Sequence, residues 1–217
     1  MDKKILLITF LAALAAILTI SAELLELDLL LYLAKPTTML LIIGIVLLAK
    51  DPVSAVYRSA IIGGLLFSLA GDIFLMLPFD LFRVGLISFL IAHIIYIFAF
   101  VRGRSVRSGW LTLIPFAVYG LIIFMSLAAF LGALKIPVLV YIAVILIMGW
   151  QALERWRYYR DRAALLALVG AGLFILSDTL HAFNRFREPF EFARAYILST
   201  YFTAQWFIAV STHQQMK

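Results

Sequence analysis

Two aspartates in a chain with little intramembrane charge open the question of chemistry. Asp178 stands near the end of the apolar run GAGLFILSDTLHAFNRF, with His181 three residues later and Arg185 seven residues later. Those spacings put all three on one face of a helix. Asp72 closes another run in a similar way, preceded by Gly64, Ser68 and Gly71. His93 and Tyr96 are three apart in a third run, and Tyr201 and Gln205 are four apart in the last one. A carboxylate sunk in hydrocarbon is expensive, and such groups usually face a bundle interior or a wet cavity, which makes them functional candidates. Two carboxylates can divide acid work from base work when their surroundings keep one protonated and the other ionised. Imidazoles nearby can tune or relay the protons. The bland alternative is a set of interhelical hydrogen bonds and ion pairs that only hold helices together.

A metal would be the competing chemistry. His93, His181, Asp72 and Asp178 are acceptable zinc ligands, but the chain has no HExxH and nothing at strong ligand spacing. The expectation is therefore acid/base chemistry with no metal and no cofactor. The absence of cysteine excludes disulfides, thiolate metal sites and a cysteine nucleophile.

These groups need a frame that crosses a membrane. A chain of 217 residues that is 65% hydrophobic and 14% charged, with repeated apolar runs of spanning length, is not a soluble globular domain. Eight runs are read as helices: residues 5–22, 33–49, 57–77, 84–101, 110–131, 137–153, 163–183 and 192–211. The first is taken as an uncleaved span, because Ile20 before Ser21 and Ala22 makes a poor cleavage site. Lys35-Pro36 is placed at the start of the second, where proline suits a first helical turn. Spans five and six, almost wholly apolar, look like scaffold, and Arg155, Arg157, Arg160 and Arg162 form the most basic loop. The expected fold is all-α, a bundle of eight transmembrane helices forming one domain over residues 1–217.

The net charge of +6 might suggest nucleic acid, but the basic residues sit in short loops between apolar runs. Positive-inside topology accounts for them, so nucleic-acid binding is set aside. Twelve lysines and arginines, Arg107 and Lys217 among them, fall on the side of the termini and six opposite. That bias makes both termini cytoplasmic in an integral, multi-pass membrane protein, in the inner membrane if the source is bacterial. Asp72 and Asp178 then reach the half of the bilayer away from the cytoplasm, with the polar centre opening that way. The two aspartates are also 106 residues apart, each ending a similar run, Gly64 with Gly71-Asp72 and Gly170 with Ser177-Asp178. A four-plus-four duplication would make them symmetry mates across a central cleft.

At this point the chain resembles a known family. Lys35-Pro36, LAGDIFLML around Asp72, FLIAHIIYIFAF around His93 and Tyr96, FILSDTLHAFNRF around Asp178, and TYFTAQWFIAV around Gln205 resemble, in order, the motifs of the YhhN membrane proteins, also called the TMEM86 or lysoplasmalogenase family. Phe202 stands where the family tends to carry a second tyrosine. The resemblance covers nearly the whole chain. It implies hydrolysis of the vinyl-ether bond of lysoplasmalogens to a fatty aldehyde and a glycerophospho-base.

Vinyl ethers hydrolyse by protonation of the β-carbon, which generates an oxocarbenium ion, then addition of water and collapse of the hemiacetal. Asp72 and Asp178 are the acid and base, in an order the sequence leaves open; the ionised one also stabilises the cation, as in glycosidases. His93, Tyr96, His181, Asn184, Tyr201 and Gln205 are the supporting polar groups. The partners are then membrane lipids and a lysophospholipid substrate whose phosphate meets Lys35 or Arg185 and whose amine meets Glu188 or Glu191. The same aspartates could instead serve a proton-coupled transporter or lipid flippase, or the chain could be a scaffold without chemistry.

Overall fold

Long apolar runs leave the backbone no hydrogen-bond partner but itself in hydrocarbon, and the helix satisfies it within one segment. The computed structural model describes residues 2–104 and 109–213. Among them are eight α-helices: α1 (Lys3–Leu24), α2 (Asp28–Leu47), α3 (Ala55–Met76), α4 (Phe82–Val101), α5 (Ile114–Leu127), α6 (Lys135–Tyr159), α7 (Arg162–Phe186) and α8 (Ala193–Val210). Arg107 and Lys217, counted above in the charge bias, lie outside the described residues. Short 3-10 turns, Trp110–Leu113 and Gly132–Leu134, lead into α5 and α6. Seven of the helices are long and apolar enough to cross a membrane. The exception is α8, whose 18 residues include Ser199, Thr200, Tyr201, Thr203 and Gln205. It packs against α1, α2, α3 and α7, which bury Tyr201 and Gln205, while the Ser199 and Thr200 hydroxyls bond back to the Tyr196 carbonyl of their own helix.

Side-chain size is sorted as a bilayer demands. On α1, Ala12, Ala15, Thr19 and Ala22 are buried while Leu7, Phe10, Ile17 and Leu18 are exposed. Small residues at helix contacts let backbones approach, and large aliphatic ones cost nothing against lipid tails. Gly64 and Gly170 carry this furthest. A Cβ at Gly64 would stand 2.2 Å from Cε1 of Tyr96, and one at Gly170 would stand 2.9 Å from the Ala204 carbonyl oxygen. These two glycines let α3 close on α4 and α7 close on α8.

Six helices form a ring. α2 packs on α3, α3 on α4, α4 on α6, α6 on α7, α7 on α8, and α8 returns to α2. α1 lies outside against α2 and α8, and α5 outside against α6 and α7. The start of α1 and the end of α8 lie at the same end of the bundle. There Lys50 pairs with Asp2 at 2.9 Å, the Val53 amide donates to the Thr212 carbonyl at 3.0 Å, and the Tyr57 and Ser211 hydroxyls share a bond of 2.8 Å. At the other end Arg194 pairs with Glu23 at 2.8 Å, and the Arg185 guanidinium lies 3.7 Å over the Phe82 ring.

Two expectations need correction. Pro36 lies inside α2, which begins at Asp28 and not at Leu33. Asp28 suits a helix N-terminus, and the missing Pro36 N–H leaves one open carbonyl that a packed membrane helix tolerates. The basic loop is largely helix: Arg155 and Arg157 belong to α6, Arg160 ends it at φ 53° in the left-handed region, and Arg162 opens α7. The helix runs on because its polar end is satisfied. Arg155 lies 4.2 Å over the Tyr57 ring and 4.7 Å over that of Tyr159, while Glu154 accepts from the Gly109 amide, Thr112 and Arg157.

Candidate functional site

Each helix of the ring contributes to one polar centre. Asp72, near the end of α3, is 2% exposed. Its Oδ1 meets Lys35 Nζ of α2 at 3.1 Å, and its Oδ2 accepts from the Tyr201 hydroxyl of α8 at 2.5 Å. Both oxygens are thus engaged, one by a cation. Phe89 of α4 and Phe174 of α7 press edgewise on the Tyr201 ring, at 6.0 and 5.5 Å between centroids, and fix the phenol. One turn beyond Tyr201, Gln205 accepts from Tyr96 of α4 through Oε1 at 2.9 Å.

Asp178 on α7 is built differently. Its Oδ2 accepts from the Tyr141 hydroxyl of α6 at 2.5 Å, and His93 Nε2 of α4 lies 4.0 Å from the same oxygen. No hydrogen bond reaches Oδ1 among the described residues. The side chain keeps 23% exposure, against 3% for Asp72. His93 is fully buried, edge-on to the rings of Tyr141 at 5.3 Å and Phe174 at 4.7 Å. Phe174 touches both halves of the site, His93 beside Asp178 and Tyr201 beside Asp72.

Of the two imidazoles expected to serve the aspartates, His93 of α4 is the one that comes within 4.0 Å of Asp178. A span expected to be scaffold, α6, supplies Tyr141, and α5 supplies Tyr119, bonded to Thr179 at 2.9 Å. Tyr141 is the residue that sequence reasoning missed. The remaining candidates are placed around the centre. Lys35 is taken by Asp72, which leaves Arg185 the less committed cation, stacked on Phe82. Asn184 accepts from the Phe190 amide at 3.4 Å and so belongs to the turn between α7 and α8. Among the described residues, five buried polar atoms make no hydrogen bond here: Oγ of Ser68, both ring nitrogens of His93, Nε2 of His181 and Nε2 of Gln205. Buried polar groups are nearly always satisfied, so such a group in a site marks where substrate or water is met. No group of three or more His, Asp or Glu side chains among the described residues stands close enough to hold a metal ion.

One cavity borders the centre, and a larger one lies between neighbouring helices. The first, of about 40 Å³, lies among α5, α6 and α7, with Asp178, Tyr141, Tyr119 and Thr179 in its wall. The larger, of about 280 Å³, runs between α1, α2 and α8, walled by Ala12, Ala13, Ala16, Thr38, Phe202 and Trp206 among others. Thr38 follows Lys35 by one turn, and Phe202 adjoins Tyr201. Phe202 therefore faces the apolar space between α1, α2 and α8.

A buried two-carboxylate centre inside a polytopic helical bundle defines the class: an integral membrane protein with a polar site enclosed by its own helices. The profile of the YhhN family matches residues 30–212, and the chain belongs to that family. It is 36% identical over 157 residues to the proteins named lysoplasmalogenase TMEM86A from Bos taurus and from Homo sapiens, covering 68% of this chain and 62% of each relative. It is 32% identical over 169 residues to lysoplasmalogenase TMEM86B of Sus scrofa, covering 74% of this chain and 66% of that one. An Escherichia coli O157:H7 protein named uncharacterized membrane protein YhhN is 26% identical over 179 residues, covering 82% of this chain and 85% of its own. The matched region thus spans under two thirds of the TMEM86A proteins' length. No solved structure matches the chain.

Proposed function

We propose that this protein is a membrane hydrolase that cleaves the vinyl-ether bond of lysoplasmalogens, releasing a fatty aldehyde and a glycerophospho-base, with Asp72 and Asp178 as its acid/base pair. The observation that carries the reading is the pair of carboxylates inside the helix ring, Asp72 buried and Asp178 partly so, each held by a phenol at 2.5 Å and each in a different charge environment. Protonation of the β-carbon needs an acid. The oxocarbenium ion it creates needs an anion, and the water that captures that ion needs a proton acceptor. Relatives named lysoplasmalogenase support the substrate class. The cavity between α1, α2 and α8 suits the single chain of a lysolipid, since its wall is largely apolar; Thr38 in that wall is three residues from Lys35, and Phe202 is next to Tyr201. With Lys35 engaged, Arg185 is the better partner for the phosphate.

The purified protein in detergent, with chelator present, is expected to release free aldehyde from lysoplasmalogen. In the same assay Ala16→Phe, which fills the larger cavity, should cost the longest-chain substrates most. Labelled lipid crossing a reconstituted vesicle unaltered would favour a transporter and sink the hydrolase.

The reading includes an orientation with both termini cytoplasmic. The α6–α7 corner, with Arg157, Arg160 and Arg162, lies at the same end as the helix termini. On this cysteine-free chain, Arg160→Cys should react with an impermeant thiol reagent only from the cytoplasmic side. Modification from the opposite side alone would reverse the orientation.

A further inference from the structure

We propose that Tyr141 is a positioning residue that makes Asp178 the acid of the pair, by occupying beside Asp178 the place that Lys35 occupies beside Asp72. The inference rests on the hydrolase reading for its reaction, and on geometry for its division of charge.

The two carboxylates sit in matched surroundings. Asp72 and Asp178 are 106 residues apart, and so are Lys35 and Tyr141, and Gly64 and Gly170. His93 and Tyr201 are 108 apart, as are Tyr96 and Ala204. The contacts follow the same correspondence. Lys35 of α2 and Tyr201 of α8 meet Asp72; Tyr141 of α6 and His93 of α4 meet Asp178. Gly64 closes on Tyr96 as Gly170 closes on Ala204. Each aspartate is therefore held by the second helix of its own half and the last helix of the other half.

Within that frame the chemistry of the pairs differs at one decisive place. An ammonium stands against Asp72, and both oxygens of that carboxylate accept from donors, which is the environment of an anion. Asp178 has a neutral phenol where the ammonium would be. The groups that face it are Tyr141 from α6, His93 from α4 at 4.0 Å, the Tyr119–Thr179 pair toward α5, Tyr201 of α8 already bonded to Asp72, and His181 and Arg185 along its own helix, the latter stacked on Phe82. No cation is within hydrogen-bond distance of Asp178 among the described residues. A carboxyl so placed, largely withdrawn from water and with no cation against it, carries its proton.

Tyr141 then has two tasks. Its bond engages Oδ2 and leaves Oδ1 as the free oxygen from which the proton is delivered. It also stabilises the carboxylate that remains. The cycle closes. Asp178 gives its proton to the β-carbon, and the oxocarbenium ion forms opposite Asp72. Water adds as Asp72 takes its proton. In the collapse of the hemiacetal, Asp178 removes the hydroxyl proton while Asp72 returns its own to the leaving glycerol oxygen, restoring both starting states. An ion-paired carboxylate is a weak base, but a weak base is enough for water attacking so strong an electrophile.

The test reads the proton directly as well as through activity. Infrared spectra of the full-length protein in lipid at neutral pH should show a protonated-carboxyl band that is kept in Asp72→Asn and lost in Asp178→Asn and in Tyr141→Lys. Glu154, the other buried carboxyl, is paired with Arg157 at 2.8 Å and should not contribute. Tyr141→Phe should lower kcat about tenfold and move the alkaline limb of the pH–rate profile upward, because the hydroxyl no longer favours the ionised form. A structural tyrosine would leave that limb where it is. The proposal is overturned by a band that disappears in Asp72→Asn but survives in Asp178→Asn, or by an unmoved limb in an active Tyr141→Phe. If Tyr141→Lys fails to fold, the Asp178→Asn and Tyr141→Phe spectra decide alone. A band assigned to Asp178 in a protein that releases no aldehyde would keep this division of charge and reject the hydrolase.

Discussion

Asp72→Asn and Asp178→Asn are each expected to lower turnover of lysoplasmalogen by about 10³-fold or more, roughly 4 kcal/mol in the barrier. Asparagine keeps the volume and the acceptor oxygen, so the Tyr201 and Tyr141 hydroxyls retain a partner, but it cannot cycle a proton. The stability cost should differ between the two. Asp178 has no cation to strand, and Asp178→Asn should unfold within a few degrees of wild type. Asp72→Asn leaves the Lys35 ammonium, 11% exposed, without its anion, and should be the less stable variant. Thermal unfolding beside single-turnover aldehyde release separates the two effects. Near wild-type turnover in either variant would make that aspartate structural and end the two-carboxylate mechanism.

Much of this arrangement was legible in the chain, for a physical reason. Hydrocarbon forces the backbone into helices and makes every buried charge conspicuous, so Asp72, Asp178, Lys35 and His93 stood out as soon as the apolar runs were drawn. The polar pairs Tyr201 with Gln205 and His93 with Tyr96 were legible from helical spacing, and they do face inward. Tyr141 was not. A single tyrosine a few residues inside an apolar run resembles the aromatic anchors common near membrane surfaces. Its one signal was arithmetic, the 106-residue step from Lys35 that repeats the step between the aspartates. The start of α2 was misjudged because proline is a helix breaker in water, whereas membrane helices keep it inside. The end of α6 was misjudged because arginines read as loop unless aromatic rings are waiting for them, as Tyr57 and Tyr159 wait for Arg155. Those partners come from elsewhere in the fold, and no local pattern announces them.

Lys35→Met carries the largest expected effect on stability. Removing one partner of a buried ion pair leaves the other charge without compensation, at a cost of about 3–5 kcal/mol. Asp72 can meet that cost by taking up a proton, with Tyr201 still donating to Oδ2. Once protonated, Asp72 no longer offers the anion that should face the oxocarbenium ion, and kcat should fall toward that of Asp72→Asn. Lys35→Arg keeps the charge on a bulkier, planar head and should recover part of both losses. The double variant Lys35→Met/Asp72→Asn is the informative one. It buries neither charge, so it should regain most of the stability lost by Lys35→Met while staying inactive. The coupling between the two sites, read from thermal unfolding of all four proteins, should be well above 1 kcal/mol. Additive losses would mean that the Lys35–Asp72 contact of 3.1 Å does not hold in the folded protein, and with it would go the reason for taking Asp72 as the ionised member of the pair.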